Sequence, residues 1–137
     1  MGGTVLVTGG TGYIAGELID QLLAKGWTVR TTVRSTAKSE DKLRSRWPAA
    51  GEQLSVFEAE LMDDAGWAEA NAGCTHVAHV ASPIAVNTPK HEDEMIVPAR
   101  EGTLRALRFA RDAGATRFVQ TSSMAAVSPA RPTRRNG

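Results

Sequence analysis

The residues best suited to chemistry in this 137-residue chain are Thr8-Gly9-Gly10-Thr11-Gly12-Tyr13-Ile14-Ala15. The apolar run Val5 to Val7 leads into them and helical spacing follows. Glycines here permit positive φ and bring backbone close to a ligand, while the first N–H groups of the next helix favour an anion. Strand, glycine turn and helix start together make a seat for a pyrophosphate. Two spellings of the dinucleotide-binding turn fit the same letters, Gly10-x-Gly12-x-x-Ala15 and Gly9-x-x-Gly12-x-x-Ala15.

Arg34 stands at the end of a second β-branched run, with Lys38 close behind and no acidic residue at that strand end. In a dinucleotide site this position lies beside the adenine ribose. A carboxylate there accepts from a 2′-hydroxyl, whereas a guanidinium matches a 2′-phosphate. NADP is therefore expected in preference to NAD. Ser122-Ser123 closes a later strand, where serines also serve simply to end a strand and start a turn. His76 and His79 are read as sharing one face of a strand, but no third ligand is spaced to join them, so no metal is expected.

Composition bounds the partners. A net charge of +1 argues for neither nucleic acid nor an anionic membrane surface, and the basic end from Arg131 to Arg135 reads as a solvated tail. The single cysteine, Cys74, has no disulfide partner within the chain and reads as small apolar filler in a reducing, cytoplasmic setting. No basic and apolar leader opens the chain, and Val5 to Val7 is too short to span a membrane.

The elements that must position these groups alternate. Residues 13–25 read as a helix facing a sheet through Ile14, Leu18 and Leu22, widened by Ile19 and Leu23 and ended by Gly26. Residues 27–34 form a strand, 39–46 a helix with an acidic start and basic finish, and 54–59 a strand. Asp63 or Asp64 is expected to cap a short helix that carries Trp67 and Ala70 inward. A strand at 75–81 precedes a long helix at 95–113, with Leu104, Leu107 and Ala110 on its apolar face and Pro98 in or near its first turn. A fifth strand covers 117–121. The pattern predicts an α/β fold, a doubly wound parallel sheet of order 3-2-1-4-5, with a nucleotide-binding domain over 1–123 and a loop-like tail over 124–137. Gly9 to Ala15, Arg34, Ala81 to Pro83 and Ser122-Ser123 then meet at the carboxyl edge of one sheet.

Taken in order, Val7 to Ala15, Thr32-Val33-Arg34, His79 to Pro83, Glu101-Gly102-Thr103 and Phe118 to Ser123 resemble an extended short-chain dehydrogenase/reductase. The likeness is to the dihydroflavonol reductase and aldehyde or ketone reductase branch of the NAD-dependent epimerase/dehydratase superfamily. It implies a Rossmann fold in which Thr8, Gly9, Thr11, Gly12, Tyr13 and Ile14 hold the pyrophosphate, and Arg34, with Lys38, holds the 2′-phosphate. Glu60-Leu61, where the family often has Asp-Leu, would lie beside the adenine; Ala81 and Ser82 would line the nicotinamide ribose, with Ser122 on the cofactor side. Ser123 matches the catalytic serine that hydrogen-bonds a carbonyl oxygen.

The family's Tyr-x-x-x-Lys pair is not in these 137 residues. The single tyrosine, Tyr13, lies in the phosphate turn with Glu17 four positions on. The expectation is a truncated reductase or a naturally short cofactor-binding remnant, lacking the C-terminal substrate lobe: carbonyl reduction belongs to the intact protein and this chain alone is inactive. A non-catalytic nucleotide-binding or regulatory module is a second reading. A piece of a nucleotide-sugar epimerase or dehydratase is a third, which Arg34 argues against because those enzymes usually prefer NAD. Ending at the fifth strand leaves apolar surface uncovered, so self-association through the sheet edge is expected.

Overall fold

Short β-branched runs, each followed by a helical segment, pair in parallel because each connection crosses back over the sheet. The computed structural model describes residues 2–83 and 87–128. Its strands are β1 (Thr4–Val7), β2 (Thr28–Val33), β3 (Leu54–Glu58), β4 (His76–His79) and β5 (Arg117–Gln120), with helices α1 (Tyr13–Ala24), α2 (Thr36–Arg46), α3 (Trp67–Asn71), α4 (Asp93–Asp112) and α5 (Met124–Val127). The strands form one Rossmann-type sheet in the order β3-β2-β1-β4-β5, every neighbouring pair parallel. The expected architecture is the observed one.

Both sheet faces are covered, so β1 is apolar without a break from Val5 to Val7. Val5 and Val7 pack with Ala15, Ile19, Leu43 and Trp47 under α1 and α2, while Leu6 turns to Ala70, Cys74, Val77 and Ala110 under α3 and α4. Trp67 and Ala70 are buried as expected.

Several local expectations are corrected. The buried face of α4 is Gly102, Ala106 and Ala110, whereas Leu104 and Leu107 are 53% and 45% exposed. Close packing selects the small residues: a Cβ on Gly102 would lie 3.1 Å from the Cβ of Leu61. In α1 the buried residues are Ala15, Gly16 and Ile19, and Ile14 is exposed. Pro98 lies in the second turn of α4, which begins at Asp93.

Helix α2 starts at Thr36 rather than Ser39, because the Glu58 carboxylate, delivered by β3, accepts from the Thr36 N–H at 3.0 Å and its hydroxyl at 3.3 Å. Neither Asp63 nor Asp64 caps α3. The N-cap is Gly66 at φ +81°, where any Cβ would run into the Glu58 carbonyl. Asp64 instead accepts from Arg105 at 2.6 Å and Arg108 at 2.8 Å, and these guanidinium contacts, Arg105's hydrogen bond foremost, hold its carboxyl below the usual range.

The two histidines are three residues apart, an odd step along a strand, and so face opposite ways. His79 turns inward beside Phe118 and His76 meets the edge of Trp27. One helical turn, α5, stands where a loop was expected, begun by Ser123 as its N-cap. Residues 129–137, which include the basic end Arg131 to Arg135 read as a solvated tail, lie outside the described residues.

The assignment of the α4 faces is checked by two substitutions. Ala106→Leu is expected to cost about 1–3 kcal/mol by overpacking, and Leu107→Ala to stay within about 0.5 kcal/mol. Urea unfolding of both variants measures this, and the reverse ranking would contradict the assignment.

Candidate functional site

β1 ends at Val7, and the next side chain is the fully buried Thr8. Its hydroxyl oxygen accepts from the backbone N–H groups of Val80 and Ala81, each at 3.0 Å. Its own proton is then directed to Nδ1 of His79, 2.9 Å away. Nδ1 must be an acceptor, which makes His79 the neutral tautomer with its proton on Nε2. Burial holds its pKa down from the ordinary 6.5 to about 4.

The turn beyond Thr8 is fitted to its neighbours. Gly9 has φ +73°, and a Cβ there would come within 3.0 Å of the Ala81 Cβ. Its N–H donates to the Thr32 hydroxyl at 3.1 Å, and Gly10 N–H donates to the Thr32 carbonyl at 3.0 Å. Gly12 N–H closes the turn on the Gly9 carbonyl at 2.9 Å.

The start of α1 is open. Gly12 is its N-cap, no side chain caps it, and its first turn holds no acidic residue. Among the described residues, no protein acceptor lies on the N–H groups of Thr11, Tyr13 and Ile14. Orphan donors at the positive end of a helix, with the turn's backbone exposed, fit a pyrophosphate.

A cavity of about 370 Å³ opens beside this turn at the ends of β4 and β5. Leu61, Ala81, Ser82, Ser122 and Ser123 line it, joined by His79, Thr103 and Gln120. Ser123 both lines the cavity and accepts from the Ala125 N–H at 3.2 Å, which leaves its hydroxyl proton able to donate. Gly9 links the turn to the cavity through Ala81.

Arg34 and Lys38 lie outside this cavity, exposed just after β2 and in the first turn of α2. Among the described residues Arg34 has no ion-pair partner. Glu60 is exposed and also outside it, and its carbonyl accepts from the Trp67 indole at 2.7 Å. The absence of an acid at the β2 end is corrected: Val33 is paired in register with Glu58, so the neighbouring strand supplies one. The sequence contained the signal, since Glu58 ends an alternating strand and therefore reaches the same edge.

Among the described residues no group of three or more His, Cys, Asp or Glu side chains is placed to hold a metal, and no helix is long and apolar enough to cross a membrane.

Comparison with known proteins gives a consistent set. A family profile described as the NAD dependent epimerase/dehydratase family matches residues 5–136. A dihydroflavonol 4-reductase of Hordeum vulgare is 42% identical over 128 residues, covering 92% of this chain and 36% of the barley protein. Vestitone reductase from alfalfa (Medicago sativa L.) superposes with a TM-score of 0.68 at 34% identity, over 89% of this chain and 36% of that one. Gre2 from Candida albicans, solved as a complex with NADPH, gives a TM-score of 0.71 at 33% identity, over 88% of this chain and 37% of that one. The chain thus spans little more than a third of the length of the relatives it matches.

The Thr8–His79 pair has a measurable pH signature. The folded pKa of His79, about 4, lies below the ordinary 6.5, so between these values the unfolded chain binds more protons. Stability is full above that window and falls as pH drops through it, by about 3 kcal/mol in all. His79→Asn, whose Oδ1 still accepts from Thr8, is expected to flatten this slope. Urea titrations from pH 7 to 4 test it, and equal slopes in both proteins would contradict it.

Proposed function

This chain belongs to the NAD dependent epimerase/dehydratase family, and we propose that it forms the NADP(H)-binding part of a reductase acting on a ketone or aldehyde. The observation that carries this reading is the row of unpartnered N–H groups at Thr11, Tyr13 and Ile14, seated above an acid-free first helical turn. These groups, with Thr8, Gly9 and Gly12 shaping the turn, would hold the pyrophosphate. Arg34 would hold the 2′-phosphate and Lys38 would add a second cation. Glu60 and Leu61 would flank the adenine, and Ala81, Ser82 and Ser122 would line the nicotinamide ribose. The NADPH complex of the Candida relative supports the choice of cofactor.

When bound, NADPH supplies a hydride. The chain's own part is to orient the cofactor and the carbonyl. Ser123 would donate its free hydroxyl proton in a hydrogen bond to the substrate's carbonyl oxygen, polarising the bond. A proton donor must complete the reaction, and the single tyrosine here, Tyr13, is 90% exposed at the phosphate turn with Glu17 four residues on. These 137 residues therefore bind the dinucleotide without turning substrate over.

The expected outcome is saturable NADPH binding, detected by nicotinamide fluorescence, with no carbonyl-dependent NADPH oxidation. Arg34→Ala is expected to weaken NADPH about tenfold while leaving NADH nearly unchanged. Steady turnover by the 137-residue protein would overturn the inactive assignment, and failure of both dinucleotides to bind would overturn the whole reading.

Val119, Met124 and Val127, on and after the edge strand β5, are 65%, 79% and 72% exposed. We infer that copies of this chain associate there. Light scattering is expected to report oligomers that grow with concentration; a monomer throughout would count against this.

A further inference from the structure

We propose that Glu58 sets the balance between the two nicotinamide dinucleotides, by fixing a negative charge at the start of α2. The inference rests on the dinucleotide-binding reading and adds a residue that opposes Arg34. Register pairs Glu58 with Val33, the last residue of β2, so its side chain stands next to the strand end that Arg34 follows. One carboxylate oxygen, Oε2, accepts both the Thr36 N–H at 3.0 Å and the Thr36 hydroxyl at 3.3 Å. Ser35, the N-cap of α2, makes no side-chain capping bond, so the cap of this helix comes from another strand.

The start of α2 has the ingredients of a phosphate seat: a helix N-terminus, Arg34 just before its N-cap Ser35 and Lys38 in its first turn. An anion from within the chain already takes its leading N–H. A 2′-phosphate brings a charge of about −1.5 to −2 and so meets attraction from Arg34 and Lys38 and repulsion from Glu58. A 2′-hydroxyl is neutral and can itself donate to a carboxylate. Glu58 thus acts against the phosphorylated dinucleotide alone, and the preference for NADP is smaller than Arg34 by itself would set.

Glu58→Gln separates the charge from the cap, because the amide oxygen still accepts from Thr36. Glu58→Ala removes both. Fluorescence titrations of NADPH and NADH against the 137-residue chain and each variant, with melting curves to confirm folding, give the test. Both variants are expected to bind NADPH about tenfold more tightly and NADH within about twofold of the parent. An unchanged ratio of NADPH to NADH affinity in Glu58→Gln would overturn the role of Glu58 while leaving dinucleotide binding intact. A gain seen only in Glu58→Ala would also overturn it, since the cap and not the charge would then be responsible. Failure of the parent and both variants to bind either dinucleotide would instead remove the underlying reading.

Discussion

The hydroxyl of Thr8 is the junction on which the site depends. It lies just past the end of β1, the sheet's central strand, and its three hydrogen bonds tie that strand end to His79, Val80 and Ala81 at the end of β4. Two partly buried N–H groups would lose their acceptor without it, at a cost of up to roughly 1–3 kcal/mol each. The junction also sets position. Ala81 is held where the Gly9 backbone comes against it, so the phosphate turn and the cavity keep a fixed relation. Because His79 must accept at Nδ1, the junction works only while that ring is neutral, and burial keeps it so.

Around this junction the two faces of the sheet have different packing. Under α1 and α2 the contacts are made by large residues, Ile19, Leu43 and Trp47 among them. On the other face α4 approaches through Gly102, Ala106 and Ala110, so its backbone comes close enough for Thr103 and Ala99 to reach the cavity. A helix faced with leucine would stand further off and widen that cavity. Small residues on α4 are thus part of the site's geometry as well as of the core.

This difference explains what was legible in the sequence. Strand order, the glycine turn and the gathering of Ala81, Ser82, Ser122 and Ser123 follow from local patterns: short apolar runs, glycine spacing and residues just past a strand end. The face of α4 did not follow, because periodicity marks large apolar residues, whereas close packing selected small ones and left Leu104 and Leu107 exposed. The helix caps were missed for a related reason. Asp63 and Asp64 stand where local rules place a cap, yet long-range partners decided the matter: Arg105 and Arg108 engage Asp64, and the Glu58 carbonyl admits only glycine at 66. Glu58 depends on pairing of a similar kind: only the register of β3 with β2 sets it beside the β2 end, which the letters of β2 alone do not show.

The two ends of the proposed dinucleotide site differ in how firmly they are built. At the pyrophosphate end the ligands are backbone N–H groups in a turn whose conformation is set by Thr8, Thr32 and Ala81, so a change there disturbs the fold. At the ribose end the groups are the side chains of Arg34, Lys38 and Glu58, all exposed. Exposed charges contribute little to stability and can be exchanged at small cost. On the proposed reading, the architecture fixes the phosphate turn and leaves the choice of dinucleotide to residues the core does not constrain. Glu58 beside the β2 end illustrates that freedom: its hydrogen bonds to Thr36 cap α2 locally, while in the proposed site its charge would bear on the ligand.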